Sequence, residues 1–223
     1  MPVAANQPSQ RDLPLLAAGL ILLSLIIGLA GFSVGVLFHA EQGDMSWSFR
    51  PSGLGNYLQS PLAWVYNAAL IWAGLWLCLA MVTLAYMRPR LPDLLLPLGG
   101  GLIALMVMLM GVFPNHYGST HTLLAISFTL TMALTHAMVL GSAIRWRLYY
   151  ASPLLYGLSL LGLGCALPIL QQTDWLTMTI PRCEPSAEVC TIDMLLWLQL
   201  AAVKLWVLVL GISIYRKPHR KQG

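Results

Sequence analysis

The chain has 223 residues, of which 58% are hydrophobic and only 9% charged, with a formal net charge of +4. A water-soluble domain carries roughly 25% charged residues, so a soluble fold is excluded and the composition is that of a membrane protein. The basic residues sit in short runs between apolar segments rather than in one patch, which removes nucleic acid as a partner and makes the charge a topology signal.

Residues 1–12 form an N-terminal tail, and Leu13–Phe38 is the first of six segments with the roughly 20 mainly apolar residues that a spanning helix needs. It is too long for the apolar core of a cleaved signal peptide, and no small-residue cleavage site follows it. Gly31 and Gly35 within it form a small-x-x-x-small pair, which lets a second helix backbone approach closely. His39 ends this span, and Glu41, Asp44 and Ser52 follow in the loop His39–Pro61. The second span, Leu62–Met87, holds Asn67. The third, Leu94–Phe113, is stopped by Pro114; a short loop with His116 follows, in which Ser119 and Thr120 are candidate N-caps of the fourth span, His121–Ile144. His136 lies about 22 Å further along that helix. A haem would require a second histidine at matching depth, and the sequence has none. The fifth span is Pro153–Leu170 and the sixth Met194–Tyr215, with Lys204 near its middle; residues 216–223 form a basic tail suited to anionic headgroups. The continuous apolar runs exclude β-barrel strands, which alternate over about ten residues. The expectation is an all-α integral membrane bundle of six transmembrane helices over residues 13–215, with short loops that make consecutive helices antiparallel neighbours.

Orientation follows from Lys and Arg. With the N-terminus inside, Arg11, Arg88, Arg90, Arg145, Arg147, Arg216, Lys217, Arg220 and Lys221 face the cytoplasm, whereas Arg50 and Arg182 face out and Lys204 lies within a span. Positive charge is retained on the cytoplasmic side, so both termini are expected inside. The loop Gln171–Asp193 then lies in the outer compartment, where Cys183 and Cys190 are expected to form a disulfide. Cys78 and Cys165 fall inside spans and read as small buried apolar residues.

Two sets of residues could carry chemistry. His39, Glu41, Asp44, His116 and His121 all map to the outer membrane surface, where they could hold a divalent metal. His121 and His116, with Ser52 as an accessory group, could equally serve acid–base catalysis. The plainer reading is that these residues are solvated or interfacial, with His121 bonding the adjacent loop. Lys204 is the sharper anomaly. A central lysine is unfavourable by about 2.5–3.5 kcal/mol even on the lenient insertion scale, and the cytoplasmic end of its span is about 16 Å away. It must therefore face the protein interior, with Asn67 a candidate neighbour, and the pair forms a candidate lipid- or substrate-binding site.

The stretch Ser52-Gly-Leu-Gly55, continued by Ser60-Pro-Leu-Ala-Trp-Val-Tyr-Asn67, and the stretch Gly111-Val-Phe-Pro-x6-His121-Thr resemble two hallmarks of the DUF998 family. That family comprises prokaryotic six-span membrane proteins without an assigned activity, and it is similar in layout to the DRAM and Frag families. Gly53 stands where the family has an acidic residue. The resemblance implies a multi-pass protein of a prokaryotic cytoplasmic membrane. Two functions are compatible with the sequence. One is a lipid-binding, assembly or transport-accessory bundle, with lipids and a membrane-protein partner or second copy as its contacts. The other is an outward-facing membrane hydrolase.

Overall fold

The computed structural model describes residues 12–46, 48–87, 91–145, 148–181 and 190–216. Six long helices run in chain order: α1 (Asp12–Gln42), α2 (Ala63–Met87), α3 (Leu91–Val112), α4 (Ser119–Arg145), α5 (Pro153–Gln172) and α6 (Thr191–Arg216), with short 3-10 turns at Pro51–Gly55 and Asn115–Tyr117. All six are long and apolar enough to cross a membrane, so the protein is a multi-pass helical bundle. Large apolar side chains such as Leu22, Ile26, Leu37, Trp64, Trp72, Val82, Leu134 and Leu160 are exposed around its perimeter. That surface is at home only in lipid.

Each helix packs on its neighbours in sequence, and α1 also packs on α6. The six therefore close into a ring, with the start of α1 and the end of α6 at one end. The opposite, loop-rich end carries both 3-10 turns. Away from the loops the ring is filled by a core that includes Ile21, Met81, Leu84, Leu96, Trp206, Leu210 and Ile214. Small residues set the closest approaches. Gly31 of α1 faces Ala69 of α2, and a Cβ on Gly74 of α2 would lie 2.7 Å from the carbonyl oxygen of Ala104 in α3. Gly74→Ala should therefore push α2 and α3 apart and destabilise the fold by about 1–3 kcal/mol, as overpacked cores do. A thermal unfolding midpoint equal to wild type would show that the two backbones separate without loss.

Helix ends are fixed locally. Ser152 caps α5, its hydroxyl accepting from the Leu155 amide at 3.2 Å, and Pro153 opens the first turn. At the start of α4 the cap differs from expectation. Ser119 and Thr120 lie inside the helix, and the carbonyl of Gly118 receives the Thr122 amide at 3.0 Å and its hydroxyl at 3.0 Å. Gly118 has φ of +56°, a conformation that an L side chain would strain.

Candidate functional site

Inside the loop-rich half of the ring lies a cavity of about 780 Å³, within the range of small-molecule sites. Its mouth is formed by the 3-10 turn Pro51–Gly55, by Asn115 and His116, and by Thr179 and Ile180. Asp174 shapes that last strand of chain, because its carboxylate accepts the Leu176 and Thr177 amides at 2.9 and 3.2 Å. The Thr177 side chain and these amides hold the Asp174 carboxyl below the usual carboxylate range. Deeper walls come from Ser24, Gly28 and Phe32 of α1, Tyr66 and Asn67 of α2, Met110 of α3, Phe128 and Thr129 of α4, and Gln199, Val203 and Lys204 of α6.

Lys204 lies on this wall, about 20 Å along α6 from Thr191 and about 18 Å from Arg216. Its ammonium sits 3.6 Å from the centroid of the Phe32 ring, and no carboxylate lies within salt-bridge distance among the described residues. The expected interior orientation is present. The expected neighbour is different. The Asn67 side-chain amide donates to the Gly55 carbonyl at 2.9 Å, which seats the 3-10 turn on α2, so Asn67 shares the cavity wall with Lys204 without bonding to it. The partner is an aromatic face, and cation–π attraction is worth about 0.5–2 kcal/mol.

The other cation of the described cavity wall is Arg50. Its Nε lies 2.6 Å from a carboxylate oxygen of Asp193, which is nearly fully buried, and a terminal guanidinium nitrogen donates to the Pro181 carbonyl. A second tie runs beside it: the Trp197 indole N–H donates to the Phe49 carbonyl at 2.7 Å. Trp197 also meets Phe32 edge to face at 5.8 Å. One face of α6 thus carries, in order of depth, the carboxylate that holds Arg50, the indole that holds the Phe49 strand, and the lysine over Phe32. Phe32 and Phe49 carried no signal in the sequence, and Arg50 entered there only as a topology charge, not as a site residue. The available signal was Arg50 itself, one of the two basic residues expected on the opposite side from the other loop and tail charges.

The histidines and acids of the proposed metal set do not come together. His39 is buried, packs on the Phe49 ring at 4.8 Å, and has Asp44 at 3.6 Å from Nδ1, too long for a hydrogen bond. Glu41, two residues on, is exposed, because positions two apart on a helix face opposite ways. His116 meets Tyr57 edge to face and lies tilted against Tyr117, and His121 Nδ1 bonds the Phe113 carbonyl at 2.8 Å, which closes the α3–α4 turn. Among the described residues no three His, Cys, Asp or Glu side chains form a ligand set. Ser52, His116 and His121 do line the same cavity, but no hydrogen bond joins the serine to either histidine. His136 is fully buried with neither ring nitrogen bonded, its ring against Trp206 and Gly162.

Cys78 and Cys165 are free thiols, as expected within spans, and Cys190 is buried and disulfide-bonded. Its expected partner, Cys183, lies outside the described residues. Alkylation of the unfolded, unreduced protein should therefore add mass at two cysteines, and after reduction at four. Four adducts without reduction would remove the bridge. No family model, curated protein or solved structure matches the chain.

Proposed function

We propose that this membrane protein binds an amphipathic acid in the cavity at its loop-rich end, with Lys204 as the anchor for the negative charge. The observation that carries this reading is the ammonium at mid-span, placed on a cavity wall and facing an aromatic ring instead of a carboxylate. The cation–π contact offsets only part of the unfavourable burial. An anion entering the cavity would supply the remainder in a medium where charge attraction is strong. The apolar walls supplied by Leu70, Leu77, Ile103, Val107 and Met110 suit the body of such a ligand.

Binding of dodecanoate to the protein in phosphatidylcholine nanodiscs, read by native mass spectrometry, tests this. Hexanoate added to the same discs separates a ligand drawn from the membrane from one drawn from water. Binding of neither acid ends the reading. Turnover of a bound ester would instead favour hydrolysis at Ser52, His116 and His121, which share this wall.

Kinship with the DUF998 family rests on two stretches that both reach the cavity, through Ser52, Gly53, Gly55 and Asn67 in the first and Pro114, His121 and Thr122 in the second. Placement of the loop-rich end outside a prokaryotic cytoplasmic membrane rests on the Lys and Arg distribution. A cytoplasm-active reporter fused after Gly223 should function. Activity of a periplasm-dependent reporter at that position would invert the protein and open the cavity to the cytoplasm.

A further inference from the structure

We infer that the cavity selects a singly charged acid, a carboxylate on one apolar body, against ligands carrying two negative charges. The inference rests on the binding reading above and adds the charge of the ligand to it. The described cavity wall carries three formal charges: Arg50, Asp193 and Lys204. Arg50 and Asp193 neutralise each other at 2.6 Å, and the Pro181 carbonyl takes a further guanidinium donor. That leaves the charge of Lys204 alone on the described wall, midway along α6, with the apolar core filling the rest of the ring.

An uncompensated charge is strongly disfavoured in low-dielectric surroundings. A monoanion beside Lys204 brings the described wall to neutrality. A dianion leaves one negative charge unmatched, and no other cation of the described wall is free to meet it. Arg50 could do so only by abandoning Asp193, whose carboxylate is 3% exposed and would then be the unmatched group. The neutral donors of the wall do not change the count. Asn67 is engaged by Gly55, Thr129 donates to the Ala125 carbonyl at 3.0 Å, and the unpartnered Nε2 of Gln199 can bond an oxygen of either anion without adding charge.

Three ligands with the same twelve-carbon tail test the inference at pH 7 in phosphatidylcholine nanodiscs: dodecanoate, dodecyl phosphate and dodecanol. An alkyl phosphate monoester resembles a phosphorylated side chain, with about −1.5 to −2 charges at that pH. Dodecanoate should bind at least about tenfold more tightly than either of the others. That preference should survive in Lys204→Arg and vanish in Lys204→Met. Dodecyl phosphate binding as tightly as dodecanoate overturns the single-charge inference and leaves the cavity reading standing. Dodecanol binding as tightly as dodecanoate overturns both, because charge then has no part. Absence of binding by all three overturns the cavity reading itself. Should Lys204→Met fail to fold, the wild-type ranking of the three ligands still decides.

Discussion

Lys204→Met should yield a protein that is more stable in a bilayer and binds a carboxylate amphiphile about 30–5,000-fold more weakly. The two effects have opposite signs because the lysine has opposite roles in the empty and the occupied protein. In the empty protein its ammonium is held at mid-span by one aromatic ring at 3.6 Å. Burial there is unfavourable by about 2.5–3.5 kcal/mol, and the ring returns about 0.5–2 kcal/mol. Methionine, of similar reach and fully apolar, removes the difference and should gain about 0.5–3 kcal/mol by the same two figures. In the occupied protein the ammonium meets an anion away from water, and loss of one partner of such a pair costs about 2–5 kcal/mol, which is the stated loss of affinity. Lys204→Arg keeps the charge and should sit near wild type in binding. Thermal midpoints and dodecanoate titrations on the three proteins in nanodiscs separate the cases. If methionine lowers stability and leaves binding intact, Lys204 is a packing residue and has no place in a site.

The inward direction of Lys204 was legible because it depends on length alone. The side chain cannot reach either membrane surface from mid-span, whatever the helices around it do. The span limits were legible for the same reason to within about four residues: α3 begins at Leu91 and α6 at Thr191, each three residues before the expected start, and the end of α1 is the most informative difference. Hydropathy ends the first span at Phe38, yet α1 continues to Gln42, because His39 turns inward onto Phe49 and is buried like an apolar residue. What packs against what was not legible. Helices in lipid are apolar on every side, so the contrast that marks the inner face of a soluble helix is missing. The closure of α1 on α6, which brings Phe32 to Lys204, follows from backbone fit and leaves no pattern in hydrophobicity. The separation of the proposed metal residues was not legible either: His39 and Glu41 are close in sequence but point in opposite directions on α1, and His121 Nδ1 bonds the turn it closes.

Asp193→Ala should be the most damaging single substitution outside the hydrophobic core, and the companion Arg50→Met should undo part of the damage. Asp193 stands in the first turn of α6 and reaches across to Arg50 on the loop after α1, so the pair joins the two helices whose contact closes the ring. Both side chains are largely buried, at 22% and 3% exposure for Arg50 and Asp193. Removal of the carboxylate strands the guanidinium beside the cavity. Breaking a buried ion pair on one side costs about 3–5 kcal/mol, because an unmatched charge remains. Removing both partners leaves no charge to match, and apolar replacements of buried pairs are often neutral. The double variant Arg50→Met with Asp193→Ala should therefore recover part of the lost stability, and a double-mutant cycle on unfolding midpoints reads the coupling directly. The Trp197–Phe49 hydrogen bond should keep the loop in place in the double variant, so dodecanoate binding at Lys204 should persist there. Additive losses in the cycle would mean that Arg50 and Asp193 act independently in the bilayer.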